Sequence, residues 1–179
     1  MNNRLGYILK EAGIVRNVKA LHVQDNSFFI EGTASLNALE AADPAEQSLT
    51  IIAKSRETER EALFVPYEKK GNAFKVEVPL HQLKPLHTNK DVIDLYIRVE
   101  LGTYLRERKL GQEEFTYYKD DIITSHSLQT EGEVLEYYAT HTPRGNVKLE
   151  TALLSEKHAA WLEKKMKLMN ALPESTRGL

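Results

Sequence analysis

The chemistry-bearing residues of this chain are its six histidines, its paired carboxylates and its tyrosine doublets. No G-x-S-x-G element is present. The one place where serine and histidine meet is Ser125-His126-Ser127. Adjacency along a chain does not build a triad, which is defined by geometry and roles, so this tripeptide reads as a polar surface segment. The histidines, at 22, 81, 87, 126, 141 and 158, form no H-E-x-x-H pair of the kind that holds zinc on a helix. His81 and His87 flank Pro85, and two ligands without a third do not make a metal centre. No metal site is therefore expected.

Glu113-Glu114 and Asp120-Asp121 are carboxylate doublets. Glycoside chemistry needs two acids facing each other across a sugar. Sequence neighbours on a strand point to opposite faces, so these doublets read as solvated. Glu31-Gly32 is of more interest, because a glycine inside a strand marks a bulge or a close backbone approach. There is no G-x-G-x-x-G and no G-x-x-x-x-G-K, so no nucleotide cofactor is expected. Tyr117-Tyr118 and Tyr137-Tyr138 offer ring faces for sugars, with one ring of each doublet expected in the core and one in solvent. No catalytic residue emerges, and the chain alone is expected to lack catalytic activity.

Composition narrows the classes further. With 179 residues, a net charge of −2 and a pI near 6.3, the chain is not the basic protein that duplex nucleic acid selects. It has no cysteine, which removes disulfides and thiolate chemistry and fits a reducing compartment. The opening MNNRLGYILKEAG is too polar for a signal peptide, and no stretch reaches the roughly 20 apolar residues of a membrane span. The expected location is cytoplasmic, with contact at the inner membrane face left open.

The elements that must position these residues show in the hydropathy pattern. In Asp91–Leu101, Ile93, Leu95, Ile97, Val99 and Leu101 alternate with Asp94, Tyr96, Arg98 and Glu100. In Ala73–Leu80, Phe74, Val76, Val78 and Leu80 alternate with polar residues and Pro79. Period-two alternation predicts antiparallel strands with one wet face. Further strands are expected at Val18–Val23, Ser27–Ala34, Leu49–Lys54, Ala62–Tyr67, Tyr104–Leu110, Val134–Thr140 and Asn146–Leu153. Asp25-Asn26, Lys69-Lys70-Gly71-Asn72 and Pro143-Arg144-Gly145 read as turns. Glu113–Gln129 is polar and weakly patterned.

Many short strands divided by turns predict a mostly β chain, an immunoglobulin-like antiparallel sandwich. Residues 15–153 form that domain. A short helix is expected over 1–14 (Leu5, Ile8, Leu9 and Ala12 on one side) and a helix or linker over 154–179. The latter carries Ala159, Leu162, Met166 and Met169 on one stripe and lysines beside them; it is expected to pack on the sandwich or dock to a following domain, with rest on an anionic membrane as the alternative. The outward row of Asp91–Leu101 is the expected ligand or partner face. Its candidate binding residues are Asp94, Tyr96 and Arg98, with Tyr138 from another strand.

Three segments in order carry a family resemblance: SFFIEGTA (Ser27–Ala34), AFKVEVPLHQL followed by DVIDLYIRVEL, and YYATHTPRGNVKL (Tyr137–Leu149). The set resembles the β-rich accessory domain of CDP-glycerol glycerophosphotransferases and related teichoic-acid polymerising glycosyltransferases. There, an apolar-Pro-Leu step precedes a D-x-W/I-D-L/F-Y-I-x-V strand, and a Y-x-T…G-N-L segment closes the domain. The full enzymes depend on a catalytic region with His-Gly dipeptides. Here no histidine precedes glycine, so no catalytic residue carries over. The resemblance implies an accessory module of wall-polymer synthesis that binds polymer, a partner or its own catalytic domain. A carbohydrate-binding module and a protein-interaction or oligomerisation domain are the alternatives.

Overall fold

The computed structural model describes residues 13–36, 47–119, 121–130, 132–153 and Lys164. The helices expected at the two ends lie outside the described residues, except that Ile14 already belongs to the first strand and Lys164 is exposed.

Eleven strands are described: β1 (Ile14–Gln24), β2 (Ser27–Leu36), β3 (Ser48–Ser55), β4 (Glu61–Phe64), β5 (Glu68–Lys70), β6 (Ala73–Pro79), β7 (Asp91–Leu101), β8 (Tyr104–Lys109), β9 (Ile122–Thr130), β10 (Glu133–His141) and β11 (Val147–Leu153). They form two antiparallel sheets, ordered β1-β2-β6-β5 and β4-β3-β7-β11-β10-β9. A short helix, α1 (Leu80–Leu83), and a 3-10 turn (Lys84–Leu86) join the sheets between β6 and β7.

The alternation in β7 decides its place. Ile93, Leu95, Ile97 and Val99 are at most 1% exposed and face Phe28, Ile30, Val76 and Val78 of the other sheet in one core. Each such burial contributes on the order of 1.5–3 kcal/mol. β7 pairs with β3 along one edge. Its other edge is divided: Asp91–Asp94 pairs with β11, and Tyr96–Leu101 with β8. The division falls where the Leu110 amide donates to the Leu95 carbonyl and the Val147 amide donates to the Leu110 carbonyl.

Gly32 is required by a close approach. A Cβ there would lie 2.4 Å from the Asn17 carbonyl oxygen. The register slips between Val18 and Ala20, so the bulge expected around Gly32 lies in β1, opposite the glycine, and not in its own strand. Asp25 and Asn26, both with positive φ, make the two-residue hairpin turn that joins β1 to β2. Two sequence expectations are corrected. Lys69 and Lys70 belong to strand β5, formed by pairing with β6. The polar stretch before Gln129 contains β9, whose Leu128 is its single buried residue.

Candidate functional site

The outer face of the larger sheet carries the residues that alternate with its core. Register sets them in rows. Lys54, Asp94, Lys148 and Thr140 are successive cross-strand partners, as are Val92, Glu150, Tyr138 and Ser125. Asp94, Tyr96, Arg98 and Tyr138 thus share one face, as the sequence predicted. They do not form one pocket. Arg98 and Tyr138 are two strands and three same-face steps apart, about 20 Å by standard strand geometry.

Asp94 and Arg98 are committed to ion pairs within the sheet. Asp94 is 7% exposed and accepts both arms of Arg56, at 2.7 and 2.9 Å, with the Lys109 ammonium at 3.8 Å. Burial pushes its carboxyl up, but the Arg56 hydrogen bonds and the Lys109 charge outweigh this and hold it below its ordinary value. Arg98 donates Nε to Glu107 Oε1 at 2.7 Å, with Nη2 at 2.6 Å from the same oxygen as an ion-pair contact. Asp94 and Arg98 therefore stiffen the sheet. Tyr96 is half-buried between Ile52 and Lys109, and burial followed by the Asp94 charge raises its pKa.

Tyr138 is the residue that opens onto a cavity. It lines a groove of about 360 Å³ together with Tyr117, Asp121, His141, Lys148 and Glu150. A second groove of about 420 Å³ continues past Glu150 to Arg56, Lys90 and Asp91. Burial, then the neighbouring Glu136, pushes the Tyr138 hydroxyl up to about 12, so it stays a protonated donor. Burial lowers His141 against the pull of Asp121. Lys148 and Glu150 pair across the floor at 3.0 Å. The result is two phenol rings, hydrogen-bond donors and carboxylate acceptors along an open channel, chemistry suited to a hydroxyl-rich chain.

The groove wall is built by the β8–β9 connection, which crosses the end of the sheet. Gly111 bridges Asn146, and Gln112 donates its amide to the Gly145 carbonyl. Phe115 then seats on Gly145 and on the His141 ring, 4.4 Å between centroids. Gly145 has φ of 78°, and a Cβ there would meet Phe115 at 2.7 Å. This seating brings Tyr117 and Asp121 over the strands. Both Tyr117 and Tyr118 are exposed, because this segment is no strand, whereas Tyr137 is fully buried as expected.

The same connection is clasped to β1. Arg16, 2% exposed, donates Nε to the Lys109 carbonyl and Nη2 to Asn146 Oδ1, each at 2.8 Å. Its Nη1 lies 3.2 Å from Glu113 Oε1, close enough for a charge contact but not aligned as a hydrogen bond. Arg108 reaches the same Glu113 oxygen at 2.6 Å. Glu113, read from sequence as solvated, is thus structural. Among the described residues no group of three or more metal-ligating side chains occurs. His87 uses both ring nitrogens, against the Thr88 carbonyl and the Tyr137 hydroxyl, each at 2.6 Å. His126 sits on β9 against Asn26 Oδ1. No described helix is long and apolar enough to cross a membrane.

Residues 7–150 match the family described as TarS beta-glycosyltransferase C-terminal domain 1. The chain belongs to that family. The membership agrees with the accessory-domain resemblance carried by the strands. Among solved structures, S. aureus TarS aligns at 13% identity with a TM-score of 0.61, over 77% of this chain and 24% of that one. A fragment of S. aureus TarS aligns at the same identity with a TM-score of 0.63, over 77% of this chain and 38% of that one. The chain thus spans well under half of either structure, and at this identity the likeness is one of fold. No curated protein matches the sequence.

Proposed function

We propose that this domain is a non-catalytic accessory module of teichoic-acid-type wall-polymer synthesis. In this reading it holds the hydroxyl-rich polymer in the Tyr117–Tyr138 groove while a separate glycosyltransferase catalytic domain performs the transfer. The observation that carries the reading is the groove itself, within a domain whose family is named for a glycosyltransferase. Its carboxylates and tyrosines suit the neutral sugar or polyol units of such a chain, which accept stacking and hydrogen bonds. The module works in the cytoplasm, where activated-sugar donors are made. The pairing order β1-β2-β6-β5 against β4-β3-β7-β8 supports an immunoglobulin-like lineage, since it follows the A-B-E-D and C′-C-F-G orders of those sheets.

The test is calorimetric titration of purified wall polymer into the domain and into Tyr138→Ala, with UDP-sugar and CDP-glycerol turnover assayed in parallel. Polymer binding that falls with Tyr138→Ala, without turnover, is expected. Sustained turnover by the isolated chain would defeat the non-catalytic assignment. A protein contact is the second reading, favoured by Leu63 and Val65. They are 55% and 75% exposed at and just beyond β4, the edge strand of its sheet among the described residues, a place where a catalytic domain could seat.

A further inference from the structure

The outer face of the smaller sheet carries a feature that the groove does not use. His22 and Phe29 are cross-strand partners on β1 and β2, and their rings stack at 5.3 Å and 12°. Tyr67 meets Phe29 edge-on at 6.4 Å, its backbone amide fixed to the Lys75 carbonyl, and it is 57% exposed. The β1–β2 pairing and the Tyr67 amide bond therefore hold three contiguous rings in a row on a sheet surface. One same-face step along β2, about 7 Å, a trough begins that is lined by Lys19, Glu31, Glu68, Lys70 and Lys75.

The charges of this trough do not cancel. Lys75 lies between Glu31 at 3.8 Å and Glu68 at 3.7 Å. That leaves Lys19, the residue extruded where the β1 register slips, and Lys70 without an ion pair among the described residues. Three lysines against two glutamates leave the trough positive. Rings suit the CH-rich faces of pyranoses, and the unpaired lysines suit a fixed anion one sugar further on.

We propose that this face is a second glycan site, taking a pyranose ring on His22, Phe29 and Tyr67 and the chain's anionic group at Lys19 and Lys70. The assignment deepens the polymer-binding reading but uses the opposite side of the sandwich from Tyr138. A chain or two neighbouring chains could then engage both faces, with the gain in avidity that linked sites bring.

The experiment is a two-dimensional amide NMR titration of the full chain with three probes. These are a phosphorylated mannose pentasaccharide, its unphosphorylated parent, and a hyaluronan hexasaccharide as the carboxylate arm. The expected shifts cluster at Lys19, His22, Phe29, Tyr67 and Lys70. Tyr67→Ala is expected to weaken binding about tenfold. Lys19→Gln with Lys70→Gln should weaken the anionic probes about fivefold and leave the neutral parent unchanged. Binding by the phosphorylated probe alone, or by both anionic probes, supports the site and names its anion. Tyr138→Ala should leave these shifts in place, which separates this site from the groove. Shifts confined to the groove, equal affinity for neutral and anionic probes, or affinity unchanged by Tyr67→Ala would each overturn the proposal. Tyr67 and both lysines are surface residues, so these variants keep the test independent of folding.

Discussion

Replacing Arg16 by methionine tests whether the clasp between the two sheets holds the groove wall. Arg16 is the largest of the fully buried side chains. Its loss strands the Lys109 carbonyl and Asn146 Oδ1, each now paired at 2.8 Å, and removes the buried cation beside Glu113. An unsatisfied buried polar group costs about 1–3 kcal/mol, and breaking one side of a buried ionic contact costs about 3–5 kcal/mol. Methionine recovers part of this by removing a desolvated charge. Burial, with Arg108 adding, already pulls the guanidinium below its usual pKa against the attraction of Glu113. The net expectation is a loss of about 3 kcal/mol, or about 10 °C in Tm for a chain of this length. Arg16→Lys should lose nearly as much, since an ammonium cannot reproduce the fork to two acceptors. Glu113→Gln, at a partly exposed position, should cost about 1 kcal/mol. Urea unfolding followed by circular dichroism supplies all three values. A loss below about 1 kcal/mol for Arg16→Met would refute the clasp as a structural element. So would an Arg16→Lys variant as stable as the parent.

Other consequences follow from single contacts. Gly32→Ala should cost more than about 2 kcal/mol, because its Cβ would sit 2.4 Å from the Asn17 carbonyl oxygen; denaturant midpoints read this directly. Asp94→Asn should cost about 1–3 kcal/mol by uncoupling Arg56 and Lys109 while leaving glycan affinity at the Tyr138 groove within twofold, which titration of the folded variant checks. His87 should make the fold acid-sensitive. Burial, with Lys84 adding, depresses its folded pKa below 6.5 despite the opposing Thr88 carbonyl and Asp91. The unfolded chain therefore takes up the proton first, so stability is full above about pH 6.5 and is lost as pH falls through the folded pKa. His87→Asn should flatten the stability profile between about pH 5 and 7, and an unchanged slope would assign it to another group such as His141.

The strands differ in how far local sequence alone specifies them. β7 was bounded to the residue from sequence, because four core positions alternate without interruption and nothing in the stretch competes with a strand. β9 was not, since Ser125, His126 and Ser127 interrupt the pattern and only Leu128 is buried. β5 consists of Glu68, Lys69 and Lys70, whose strand state comes from pairing with β6 and from no local preference. The outward direction of Asp94, Tyr96, Arg98 and Tyr138 followed from period two. Which of them takes an ion pair did not, because Arg56 reaches Asp94 from the turn after β3 and Glu107 reaches Arg98 from β8. Lys148 and Glu150 could have been placed on the same face by their alternation with Val147 and Leu149. Tyr117 and Asp121 could not, since they arrive through the seating of Phe115 on Gly145, a contact between segments thirty residues apart.

Whether the Tyr117–Tyr138 groove holds a hydroxyl-rich wall polymer is read by an amide NMR titration of the chain with purified teichoic-acid polymer, repeated on Tyr138→Ala. Polymer held in the groove gives shifts concentrated at Tyr117, Asp121, Thr140, Lys148 and Glu150, and their loss in a Tyr138→Ala variant whose remaining spectrum is unchanged. A spectrum that does not respond to the polymer, or groove shifts that persist undiminished in Tyr138→Ala, would contradict it.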